Sequence, residues 1–139
     1  MKYILSFLFV CQLTFAEARY VASDKFFRAL AAVESGGSQY PNETLDGRLG
    51  PYRISYEYWK EAMSHDDQIG GTFDDCRAEM YSRKVVNAYL NKHVPSAVEN
   101  KTYEILAKTH KFGPFWKSQP FESDEYWNNF KKHLTSYWF

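Results

Sequence analysis

Cysteine is the first thing this 139-residue chain has little of: it holds two, Cys11 and Cys76, and the first lies in an apolar N-terminal stretch. Residues 1–18 have the three parts of a cleavable export signal. Lys2 is the positive n-region, residues 4–15 are the apolar h-region, and Ala16-Glu17-Ala18 is a small-x-small cleavage site. With Cys11 removed in that signal, Cys76 has no intramolecular partner, so the fold is expected to rest on its core without a disulfide. A lone cysteine of this kind reads as a buried small apolar side chain rather than a reactive thiol. No other long hydrophobic run occurs, and the h-region falls short of the ~20 apolar residues a membrane-spanning helix needs. An excess of either charge is also missing, with 17 Lys plus Arg against 17 Asp plus Glu. That argues against a nucleic-acid binder working through phosphate neutralisation. The four histidines, His65, His93, His110 and His133, are scattered without metal-ligand spacing, and neither a metal nor a cofactor is expected. Internal repeats and low-complexity segments are absent, so collagen-like and disordered classes drop out.

What is present is aromatic mass, 19% of the chain, enough to build one core in a single domain over residues 19–139. Export is the expected route, to the outside or to a lysosome-like digestive compartment. The sequons Asn42-Glu43-Thr44 and Asn100-Lys101-Thr102 are compatible with it. The recurring pattern is helical. A first helix is expected from a Ser23 or Asp24 cap through Phe26, Phe27, Leu30, Ala31 and Val33, ended by Gly36-Gly37. Residues 38–54, rich in Pro, Gly, Asn and Asp, predict a loop or small irregular hairpin. A second helix is expected from Ser55 to about His65. A long central one starts at the capping-box-like Thr72-Phe73-Asp74-Asp75, runs to about His93 and stops before Pro95. A shorter helix from Thr102 to about Lys111 and a last one opening at Ser123-Asp124-Glu125 make about five helices in a mostly α domain.

One constellation carries chemistry. Glycoside hydrolysis needs one carboxyl group kept protonated in an apolar setting and a second kept ionised in a polar one. Glu34 follows Val33 at the end of an apolar helix, and Asp46 lies in the Gly-rich loop beyond it. Glu43 competes for the second role; Asp46 is preferred because Gly47 beside it allows a close turn, whereas Glu43 sits inside a sequon. Ser35 reads as a helix-terminal hydrogen-bonding residue rather than a nucleophile. Tyr52, Tyr58 and Trp59 read either as sugar-stacking rings or as core, with core favoured for Trp59.

Five segments, in order, carry a resemblance. Val33-Glu34-Ser35-Gly36-Gly37 is similar to M/V-E-S-G-C, and Gly50-Pro51-Tyr52-Arg53-Ile54 with Tyr58-Trp59 resembles G-Y-F-Q-I…Y-W. Val86-Asn87-Ala88-Tyr89-Leu90 resembles V-Q-N-Y-M. Ala107-Lys108-Thr109-His110-Lys111-Phe112-Gly113-Pro114 resembles A-R-E-H-N-G-G-P, and Tyr126-Trp127-Asn128 resembles Y-W-N. Together, from Phe27 to about Leu134, they resemble the invertebrate-type lysozymes, including the destabilase branch of the lysozyme superfamily. That resemblance implies a lysozyme-like α+β fold with Glu34 as general acid and Asp46 as second carboxylate. It implies hydrolysis of β-1,4 bonds between N-acetylmuramic acid and N-acetylglucosamine in peptidoglycan or a related amino-sugar polysaccharide, in digestion or antibacterial defence, by a monomer. Tyr52, Arg53, Tyr58 and His110 are the expected substrate-binding residues, His110 having a backbone-bonded structural role as its alternative.

The chain departs from the family pattern in its missing disulfides, in a shorter segment between Asp46 and Ile54, and in Arg53 where the family usually has Gln. Arg53 is expected to face Glu34, to pair with Asp46, or to point to solvent or substrate. The serine and lysine of the isopeptidase activity found in some members have no identifiable counterparts. Two other readings stay open: an inactive lysozyme-like protein that binds glycans or a partner, and a lytic transglycosylase that needs Glu34 alone.

Overall fold

The computed structural model describes residues 23–135, and the export-signal reading falls outside them. Six α-helices appear among the described residues: α1 Asp24–Ser35, α2 Tyr56–His65, α3 Glu79–His93, α4 Pro95–Asn100, α5 Tyr103–Phe112 and α6 Pro120–Thr135. None is long and apolar enough to cross a membrane.

Helix α1 begins where the Ser23 hydroxyl accepts the Phe26 amide at 3.2 Å, the capping bond that spares a helix start an orphan donor. It ends at Gly36, left-handed at φ 69°, where the Gly36 N–H bonds the Ala32 carbonyl and the Gly37 N–H the Ala31 carbonyl. Helix α2 repeats the pattern, with Ser55 accepting from the Tyr58 amide. Between them the chain makes one antiparallel bridge, Leu49 to Ile54, closed by paired backbone bonds of 2.9 and 3.0 Å. The expected hairpin is thus real but minimal. Its turn is pressed against the body of the protein: a Cβ on Gly50 would lie 1.9 Å from the Cys76 carbonyl oxygen.

Three element boundaries differ from expectation. The Thr72 start is genuine, with its N–H bonded to the Asp75 carboxylate at 2.7 Å. It opens a 3-10 turn, Phe73–Arg77, and not the long helix; Ala78 is extended before α3 begins. The Ser82 hydroxyl lies 2.5 Å from the Cys76 carbonyl and 2.9 Å from the Ala78 carbonyl, sharing its one proton across the break between the 3-10 turn and α3. Helix α3 ends at His93, before Pro95, as expected, but Pro95 then opens a further helix, occupying the first turn of α4, where its missing N–H costs nothing. The last helix starts at Pro120, for the same reason, and at 16 residues exceeds α3 at 15.

Helix α3 packs against α2, α4 and α5, and α1 and α5 pack against α6. Residues 85–90 of α3 are all buried, as expected of a central helix. Phe26, Leu30, Tyr52, Ile54, Val85, Val86, Leu90, Leu106 and Phe130 are fully buried and join these elements in one core. Cys76 belongs to it as a free, buried thiol, its pKa pushed up to about 12 by burial.

Candidate active site

Because α1 stops at the glycines, Glu34 stands in its last turn, and two contacts fasten that end to the turn after Gly50. The Ser35 hydroxyl lies 3.0 Å from the Ala31 carbonyl and 2.9 Å from the Pro51 carbonyl, sharing its one proton between them. Ser35 is therefore spent on structure. The Arg53 guanidinium donates from Nε to the Glu34 backbone carbonyl at 3.4 Å and from its other arm to the Asn42 carbonyl. It ties the helix end to the loop and meets neither the Glu34 nor the Asp46 carboxylate, which corrects both pairing expectations. Arg53 does this from a left-handed backbone, φ 53°, a conformation side chains rarely adopt without such anchoring.

The Glu34 side chain is 4% exposed. Its Oε1 accepts the Tyr126 hydroxyl at 2.7 Å, and its Oε2 faces the Lys111 ammonium at 3.4 Å. Burial, followed by the Glu34 charge, holds the Tyr126 phenol protonated well above its ordinary range, which makes it a permanent donor. Asp46 is placed in the opposite environment. Its side chain is 64% exposed, one oxygen taking the Thr44 hydroxyl at 2.5 Å and the other the Arg48 guanidinium at 2.8 Å. These two bonds hold its carboxyl below the usual value of 3.8, so it is ionised at any ordinary working pH. The turn around it closes through Gly47, whose N–H bonds the Thr44 carbonyl. Glu43, the competitor, is engaged by Arg77 at 2.9 Å.

The aromatic and histidine residues expected at substrate are held inside instead. Tyr52 is fully buried, its hydroxyl lying between Arg83 Nε at 3.2 Å and Glu79 at 3.3 Å. Tyr58 lies face to face with Tyr89, ring centroids 3.6 Å apart, so neither tyrosine presents a free ring to a sugar. His110, also buried, has Nε2 at 3.0 Å from the Tyr52 carbonyl and Nδ1 at 2.9 Å from the Tyr58 hydroxyl. A carbonyl can only accept, so Nε2 carries the proton and the neutral ring accepts the Tyr58 O–H at Nδ1. Burial lowers the His110 pKa and keeps that neutral form. His110 thereby pins the turn carrying Tyr52 to α2 and α5 behind the site. Trp59 is half-buried, donating from Nε1 to the Tyr81 hydroxyl at 3.0 Å.

Lys111, Tyr126 and Arg48 are the site residues that sequence reasoning passed over. Lys111 and Tyr126 lie within quoted motif segments, but nothing in the pattern assigns either to Glu34. Among the described residues no cluster of His, Cys, Asp and Glu is arranged to hold a metal ion. No curated protein matches the chain. A family model described as Destabilase matches residues 23–133.

Proposed function

Since the chain belongs to the destabilase family, whose members are lysozyme-like hydrolases, we propose that it is a glycosidase cleaving β-1,4 bonds of bacterial peptidoglycan. The observation that carries the reading is the contrast between its two carboxyl groups. Glu34 is closed off beneath α5 and α6 with one oxygen anchored by Tyr126, and Asp46 is solvated and held ionised by Thr44 and Arg48. Acid and stabiliser roles divide between carboxyl groups along that line. In the proposed reaction Glu34 gives its proton to the glycosidic oxygen as the bond from C1 breaks. Asp46 stabilises the cationic C1 centre, water adds there, and the proton that water releases restores Glu34.

Export of the protein belongs to the same proposal, supported by the signal-like residues 1–18 and by the exposure of Asn42 and Asn100 in their sequons. Lysis of a peptidoglycan suspension by wild type and Glu34→Gln tests the reaction. The amide keeps an acceptor for Tyr126 but cannot deliver the proton, so the folded variant is expected to lose at least about 99% of the activity, the scale of a lost general acid. Turnover near wild type in that variant contradicts the proposal.

A further inference from the structure

The two oxygens of Glu34 have unlike neighbours. Oε1 is occupied by Tyr126 at 2.7 Å, so Oε2 is the oxygen left to carry and deliver a proton. Over Oε2 stands the Lys111 ammonium at 3.4 Å. That contact is loose by the standard of charge-assisted bonds, which settle near about 2.7–2.9 Å. It is loose by this molecule's own standard too, since Lys108 reaches Asp124 at 2.6 Å and Glu104 at 2.7 Å. Lys108 is 4% exposed, whereas Lys111 is 42% exposed. An ammonium on a flexible stem, partly in water, loosely paired with its counter-ion and otherwise resting 5.9 Å over the Tyr126 ring, moves at modest cost.

Move it must. A general acid acts only within hydrogen-bond reach of the oxygen it protonates, and the approach to Oε2 is where the ammonium sits. Once Glu34 is protonated it no longer balances the Lys111 charge. The neighbouring cations do not share this position: Arg48 is committed to Asp46, and Arg53 to two backbone carbonyls. Lys111 also stands where the matching segment of the family pattern has a neutral Asn.

Building on the proposed hydrolysis, we propose that Lys111 is a displaceable cap that determines specificity. When substrate enters, its ammonium leaves Glu34 Oε2 and pairs with a carboxylate of the glycan. The site therefore selects amino-sugar polymers bearing acid groups over neutral polymers of the same length. Glu34 takes up one proton from water as Lys111 leaves it, so every charge stays paired: substrate carboxylate with Lys111, and a protonated, neutral Glu34 with the glycosidic oxygen.

Binding rather than turnover provides the test. Titration calorimetry of wild type, Lys111→Asn and Lys111→Arg would use two soluble probes of equal sugar number. One is a peptide-free muramic-acid oligosaccharide with its lactyl carboxylates, the other an uncharged N-acetylglucosamine oligomer. Lys111→Asn is expected to weaken the acidic probe roughly five- to tenfold and leave the neutral probe unchanged. Lys111→Arg is expected to retain the preference, and added salt to narrow it. Equal loss on both probes, no loss on either, or no binding of the acidic probe by wild type overturns the inference. A protein that discriminates by charge yet cleaves neither probe counts against the proposed hydrolysis and leaves the role of Lys111 standing.

Discussion

Gly50 shows how little room single residues have around the site. Its φ of +71° and a would-be Cβ 1.9 Å from the Cys76 carbonyl leave no space for a side chain. Gly50→Ala is expected to cost on the order of 3 kcal/mol in urea unfolding, as backbone must move against backbone. Tyr126 makes a finer point. Tyr126→Phe keeps the ring against Phe112 and Phe130 but frees Glu34 Oε1. With both oxygens then able to hold the proton, kcat is expected to fall about tenfold, about the worth of one hydrogen bond to a charged group, while KM stays near wild type. A fall in binding alone would contradict the positioning role. Glu34 itself is singled out in the sequence because its motif is local. Its two neighbours are not, since Tyr126 and Lys111 come from 92 and 77 residues away and meet it only through the packing of α6 on α1 and of α5 on α6.

Elements were readable where side chains cap them, and obscure where tertiary contacts decide. Ser23, Gly36 and Ser55 mark their helix ends locally, and α1 and α2 follow. The break at Ala78 is bridged by the Ser82 hydroxyl, which reaches the Cys76 and Ala78 carbonyls on its two sides, a contact that no periodicity reveals. Pro95 is ambiguous in principle, because proline both ends one helix and opens the next. The turn from Leu49 to Ile54 is held from behind by His110 and from the side by Arg53, and each holder gives a measurable consequence. His110 has a folded pKa below its ordinary 6.5. The unfolded chain therefore takes up a proton as pH falls below about 6.5 that the folded chain refuses, and stability present above that value is lost toward the lower folded pKa. The thermal midpoint is expected to drop as pH falls from about 6.5 to 5. His110→Gln, less stable at neutral pH, is expected to flatten that slope. Arg53→Gln is expected to reduce activity through a loosened loop without moving the pH–rate profile, because the guanidinium bonds carbonyls and not the carboxylates. A displaced alkaline limb in that variant would contradict this arrangement.

Across the whole molecule, packing does the work that covalent links do in many small exported domains. Phe26 touches Phe27, Tyr103 and Phe130, joining three helices, and Arg83 links Asp24, Tyr52 and Glu79 across α1, the turn and α3. Cys76, buried in this network, is expected to leave the thermal midpoint indifferent to reductant, whereas a disulfide-built domain would lose roughly 2–5 kcal/mol on reduction. The mostly α class was plain from the spacing of aromatic and aliphatic residues. Which aromatics would face a substrate was not, since Tyr52 and Tyr58 have the composition of a sugar-binding surface and the burial of a core. If a closed-off Glu34 and a solvated Asp46 divide acid and stabiliser roles in hydrolysis, mass analysis of products from purified peptidoglycan reads the consequence at the cleaved bond itself. The expected products are muropeptide fragments that have gained one water at each cleaved bond, absent with Glu34→Gln and much reduced with Asp46→Asn. Products with 1,6-anhydro ends, formed as readily by Asp46→Asn as by wild type, would contradict that division of roles.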